Sequence, residues 1–220
     1  MTQLTSTQVT QLNNMNMAAQ RGSLGTRLSS LEFGDAVEPS AGTLEVAPVL
    51  HYNLETPYVG TATKMHAAVL LANGATTTVT TAITNPDFPR ILSVKGNDGN
   101  VTGNVVITGT DINDDAITET IASNAANEVF GAKAFKTVTS IVLPAYAVAG
   151  TESISIGMGD KFGFPVAIPN DDLVIASSFN GSADVGTTTE SATVPASIYA
   201  VAGTLDGAKD VDLWFFVESV

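Results

Sequence analysis

The sequence predicts an all-β protein: an antiparallel β-sandwich or barrel-like domain preceded by a short N-terminal helix and an extended arm. Three observations carry that expectation. The 44% apolar content is dominated by Ala, Val, Ile and Leu and comes with many Thr and 19 Gly, a mixture that suits pleated surfaces joined by tight turns. Short runs alternating between apolar and polar residues recur along the chain, separated by clusters of Asn, Asp, Gly and Pro. No long helical patterns alternate with these runs, which favours a sandwich or barrel over a parallel α/β sheet.

The elements follow in chain order. Val9, Leu12, Asn16 and Ala19 recur at roughly helical spacing in a segment rich in Gln, Asn, Thr and Met, predicting one short helix. Thr5 or Ser6 caps its start and Gly22 ends it. Leu24, Leu28 and Leu31 are spaced to share the face of a second helical turn. Between Phe33 and Pro57, the breakers Gly34, Pro39, Gly42 and Pro48 favour extended chain. Residues 1–58 are therefore a helix and arm, and residues 59–220 a β-rich domain. The arm cannot bury much of itself alone, so it is either a docking element or a frayed terminus. As a docking element, its partner-binding candidates are Val9, Leu12, Met15, Ala19, Leu24, Leu28 and Leu31.

Strands are expected at Thr76 to Ile83 and, after the breaker Asn85-Pro86-Asp87-Phe88-Pro89, at Arg90 to Lys95. Asn104 to Thr110 and Ala116 to Ala122 flank the polar run from Asp111 to Asp115, which predicts an antiparallel hairpin. Glu119 interrupts the apolar face of the returning strand and belongs near an edge. A helical turn is possible around Ala125 to Ala134. Further strands are expected at Thr137 to Leu143, Ser153 to Ile156, Leu173 to Ser177, Ser191 to Ala200 and Val211 to Val217, bringing the count to about nine. The last holds the single Trp and should anchor the core.

Charge and residue inventory exclude several functions. A formal charge of −13 argues against a surface that neutralises nucleic-acid phosphates. The longest apolar run, Ala67 to Ala72, is far short of the ~20 residues a spanning helix needs. The first twenty residues hold no charged side chain, so the basic segment of a secretory signal is missing and cytoplasmic synthesis is the expectation. Cys is absent, which removes disulfides and thiolate metal sites.

Only two His are present, and neither His51 nor His66 has a second ligand at helical or hairpin spacing. Asp111, Asn113 and Asp115 alternate like a calcium loop, but Ala116 and Ala122 stand where that loop needs Gly and Glu. A solvated turn explains them better. Gly157, Gly159 and Gly163 suggest a dinucleotide loop only superficially, because Phe162-Gly163-Phe164-Pro165 does not open a helix. A turn with two packed phenylalanines is preferred there. No catalytic residue, metal ligand or cofactor site is expected, and the chain is read as non-enzymatic.

Four strings carry a family resemblance: Pro89 to Val94; Val105 to Asp111 with Ile117 to Ile121; Lys133 to Ile141; and Gly159 to Pro165. Together and in this order they resemble bacteriophage virion proteins. The resemblance spans roughly Asn85 to Ile168 and scarcely touches the N-terminal arm. It implies a structural component of a tailed phage particle, a decoration or head-fibre protein on the capsid surface, with the tail, adaptor or baseplate as the alternative placement. Its partners would be the major capsid protein or a neighbouring virion protein, together with further copies of itself, as in a trimer. A host-facing module that binds surface glycan through the domain's loops is a further reading, weakened by the small number of aromatic residues.

Overall fold

A computed structural model describes residues 48–145 and 150–217. The described residues form fourteen strands, every pairing antiparallel. In chain order they are β1 (Val49–Asn53), β2 (His66–Leu70), β3 (Thr77–Val79), β4 (Arg90–Gly96), β5 (Asn104–Thr110), β6 (Ala116–Ala122), β7 (Glu128–Phe135), β8 (Thr137–Leu143), β9 (Ser153–Gly163), β10 (Val174–Phe179), β11 (Ser182–Ala183), β12 (Thr187–Thr189), β13 (Ile198–Ala200) and β14 (Val211–Phe216). Two 3-10 turns, Asp171–Leu173 and Val194–Ala196, are the helical elements among them. The all-β expectation therefore holds.

Three sheets result. A central sheet has the order β12-β13-β9-β4-β7, a hairpin sheet β3-β8-β5-β6, and a C-terminal sheet β1-β14-β10-β11. The long β9 organises the central sheet: β4 runs along one side, while β2 and β13 share the other, β2 against its first half and β13 against its end. The hairpin sheet packs on the central sheet through aliphatic side chains, including Val105, Ile107 and Ile141 against Leu92, Val94, Ile154 and Ile156. Alternation along β5 explains this: Val105 and Ile107 are fully buried, and Val106 between them is not. A second core joins the end of β9 to the C-terminal sheet, with Phe162, Phe164, Tyr199, Leu213 and Phe215 among its buried members.

The predicted hairpin forms in full, from Asn104 opposite Ala122 to Thr110 opposite Ala116. At its turn the Asp111 carboxylate accepts the amides of Asn113 (2.9 Å) and Asp115 (3.1 Å), as a turn-forming Asp does. Glu119 lies on the edge strand β6. Its Oε1 accepts the Ala132 amide of β7 at 2.6 Å, tying the edge of the hairpin sheet to the edge of the central sheet.

Several local expectations are corrected. The segment around Ala125 to Ala134 is no helical turn; Glu128–Phe135 is a strand whose Val129 and Phe130 pair with Val94 and Ser93 of β4, a non-local partner that overrides the local Ala content. The strand starting at Ser153 does not stop at Ile156 but continues through the three glycines to Gly163. Glycine is required there because neighbouring layers come close: a Cβ at Gly157 would meet the Thr61 carbonyl, and one at Gly159 would lie 2.8 Å from Ile91. Within Ser191 to Ala200 only Ile198–Ala200 is strand, because Pro195 seats a 3-10 turn just before it. Of the Thr76 to Ile83 strand only Thr77–Val79 pairs. The segment read as extended arm is indeed extended at Val49–Asn53, but it is paired, residue for residue, with β14. Leu54 behind it is fully buried.

Candidate functional site

The partner-binding candidates Val9, Leu12, Met15, Ala19, Leu24, Leu28 and Leu31 lie outside the described residues, as does the predicted N-terminal helix. Chemistry must be sought in the β-body. Three polar constellations stand out there.

The first surrounds Arg90, which is fully buried at the start of β4. Asp87 holds its Nη2 at 2.8–2.9 Å, the Tyr58 carbonyl accepts from Nη1 at 2.9 Å, and Asp160 stands 3.8 Å away. The guanidinium lies over the Phe162 ring, 4.6 Å from its centroid. Burial pulls its pKa below the ordinary value, opposed by Asp87 and Asp160. Nε has no hydrogen-bond partner. A fully enclosed cation cannot reach a ligand, so this constellation is a structural rivet where the two cores meet. The breaker Asn85 to Pro89 supplies Asp87, and Asp87 also accepts the Tyr58 amide at 2.9 Å.

The second is a cleft of about 360 Å³ between β10 and β12, lined by Asp171, Ser177, Asp184, Thr187, Thr188 and Tyr199 among others. Asp184 already accepts the Tyr199 hydroxyl at 2.6 Å and the Ala202 amide at 3.2 Å. Burial, together with that bond to Asp184, pushes Tyr199 up to about 12, so it remains a neutral donor.

The third occupies the outer face of the C-terminal sheet. Two cross-strand rows build it: His51, Trp214 and Ala176 in one, and Asn53, Asp212 and Ser178 in the next. Their neighbours one residue on or back, such as Leu213 and Phe215, face the other way into the aromatic core, as the period of a strand dictates. His51 stacks on Trp214 with ring centroids 4.7 Å apart and planes 5° from parallel. Asp212 is only 9% exposed. Its Oδ1 accepts Asn53 Nδ2 at 2.7 Å and lies 2.6 Å from His51 Nε2, while Oδ2 meets, among the described residues, only Ser178 Oγ at 3.4 Å.

A serine, an aspartate and a histidine thus stand together, but in an order that does not serve nucleophilic catalysis. Asp212 lies between the other two, whereas an activated serine needs the imidazole in direct contact with its hydroxyl. The arrangement holds and orients a carboxylate. Sequence reading placed His51 in the arm without a partner. The signal that could have found the site is the alternation His51-x-Asn53 and Asp212-x-Trp214, which puts each pair on one strand face. The pairing of segments 161 residues apart carries no such signal. His66 is elsewhere, half-buried at the start of β2, with Nδ1 2.7 Å from the Ala67 carbonyl. Among the described residues, no group of three or more His, Asp or Glu is arranged to hold a metal ion.

Comparison with known proteins yields no match among family models, curated proteins or solved structures.

Proposed function

We propose that this chain is a structural component of a tailed phage particle, a decoration or head-fibre protein that attaches to the capsid through its N-terminal segment and presents the β-body outward. The observation that carries this reading is the uneven distribution of charge along the sequence. Residues 1–47 lead into β1, the edge strand of the C-terminal sheet. The first 31 residues differ in charge from all that follows. Arg21 and Arg27 are the only charged side chains before Glu32, whereas all 22 acidic residues lie from Glu32 onward. A weakly basic leading stretch, residues 1–31, joined to a strongly acidic remainder suits a particle component: self-repulsion keeps the bodies apart and soluble, while the leading stretch suits docking on a surface of other character.

The resembling strings support the same reading by their placement. Pro89 to Val94 enters β4, Val105 to Asp111 and Ile117 to Ile121 form the hairpin, Lys133 to Ile141 joins β7 to β8, and Gly159 to Pro165 closes β9. The first three pack around the aliphatic core, and the last carries Phe162 and Phe164 into the aromatic one.

The test is deletion of residues 1–47. The cut must stop there, because Val49 and Leu50 pair with Phe216 and Phe215. The shortened chain should keep the melting transition of the full chain and be missing from purified particles, while the full chain decorates them in many copies. Normal incorporation of the shortened chain, or absence of the full chain from particles, would overturn the proposal.

A further inference from the structure

We infer that the outer face of the C-terminal sheet is a binding site for a neutral hexopyranose unit, with Trp214 as the stacking surface and Asp212 as the acceptor of sugar hydroxyls. This goes beyond the structural role and rests on different residues.

The indole supplies the apolar half of the site. His51 covers one face of Trp214, and across the strand the next residue is the exposed Ala176. A methyl group is too short to cover the second face, and the indole is only half-buried. An aromatic plane of this kind, fixed by a stacked neighbour and a sheet backbone, matches the flat C–H face of a pyranose without having to be ordered on binding. His51 thereby acts as the positioning residue for the indole.

The carboxylate supplies the polar half. An ionised carboxylate offers about four acceptor positions. Oδ1 of Asp212 is used by Asn53 and faces His51, whereas Oδ2 meets, among the described residues, only Ser178 Oγ at 3.4 Å, a long contact for a hydroxyl donor. A mostly buried carboxylate with a spare oxygen directed at the Ala176–Ser178 side attracts hydroxyl donors, through charge-assisted bonds stronger than neutral ones. Ser178 adds a hydroxyl that can donate or accept. An apolar wall with a few convergent polar groups is the general form of a small-molecule site.

Charge decides the ligand class. Strands β1, β10 and β14 carry neither Lys nor Arg, and the chain has 22 acidic against nine basic residues. Anionic sugars and phosphates are repelled, leaving neutral hydroxyl-rich rings. A single open subsite of this size should bind a monosaccharide with Kd of about 1 mM or weaker, and many copies on one surface would raise the avidity for a polysaccharide.

Trp214 is the only Trp in the chain, so intrinsic fluorescence reports on the site directly. The full-length chain is titrated with glucose, galactose, mannose and N-acetylglucosamine. A saturable change in emission with at least one of them is expected. Ala176→Leu fills the space beside the indole and leaves every polar contact in place, and it should abolish the change with an unaltered melting temperature. Asp212→Asn should weaken binding by about tenfold, the worth of a charge-assisted bond. Failure of all four sugars to produce a saturable response, or an unchanged Kd in Ala176→Leu, would overturn the assignment.

Discussion

The two cores of the body are built from different materials. The core between the hairpin and central sheets is aliphatic, with Phe135 its one buried ring among Val, Leu, Ile and Met. The core beneath the C-terminal sheet is aromatic: Phe162, Phe164, Tyr199 and Phe215 are all at most 1% exposed. Phe164 packs edge-on to both Phe215 and Tyr199, with centroids 5.3 and 6.3 Å away. Their sources in the chain differ too. The buried aliphatic residues fall between Met65 and Met158, much of that stretch folding as neighbouring strands, whereas the aromatic core gathers Leu54 from one end of the described chain and Phe215 from the other. A locally assembled layer tolerates small interchangeable side chains. A layer closed by distant segments gains from large rings, each of which brings much buried area for few residues.

If β9 welds the cores into one cooperative unit, Arg90 is the place to break them. Its guanidinium sits on Phe162 of the aromatic core from a strand whose Leu92 and Val94 serve the aliphatic one. Arg90→Leu strands Asp87 and the Tyr58 carbonyl without their donor and should cost about 3–5 kcal/mol, lowering Tm by about 10 °C. Trp214 fluorescence, which follows the C-terminal sheet, and far-ultraviolet circular dichroism, which follows all sheets, should shift together. Separate transitions would mean that the cores fold independently.

Single-core truncations sharpen the comparison. Phe164→Ala should cost about 4 kcal/mol, near the top of the range for large-to-small changes, because the rings around it are held edge-on and cannot close the cavity. Ile141→Ala, in the aliphatic core, should cost about 3 kcal/mol, since slim neighbours such as Val105 and Val138 can settle into the space. Urea titrations of both variants measure the difference. Equal costs would remove the distinction drawn between the two packings.

The same contrast explains what the sequence disclosed. The hairpin was legible to the residue, because alternation and a polar turn sit within 19 consecutive positions, Asn104 to Ala122. β4 and β8 were likewise marked by their own pattern. The strand at Glu128–Phe135 was not, since its Ala, Gly and Lys are strand-like only in the company of β4. Nor was β1, which reads as proline-bracketed linker until β14 pairs with it. The outer-face site inherits that illegibility: His51, Asn53, Asp212 and Trp214 are each visible in the sequence, but only the β1–β14 register brings them together.

The smallest expected effect concerns the seam between the hairpin and central sheets, at Glu119. Its Oε1 accepts the Ala132 amide, while Oε2 is buried with no hydrogen-bond partner among the described residues, close against Gly131. Burial raises the pKa above the ordinary glutamate value, and the Ala132 and Lys133 amides and the Lys133 charge offset this only in part. The folded protein therefore retains a proton that the unfolded chain has released. Stability falls as pH rises from the ordinary glutamate value through the raised one, and above that the loss is complete. Glu119→Gln keeps an acceptor for Ala132 and removes the ionisation. It should leave stability at low pH nearly unchanged and raise it at pH 7 by less than about 1 kcal/mol, because the group is half-exposed and solvent screens its charge. Urea midpoints across the acid range would show a shallower decline for the variant. A variant less stable than the parent at pH 7 would mean that the ionised carboxylate, not merely its acceptor oxygen, holds the two sheet edges together.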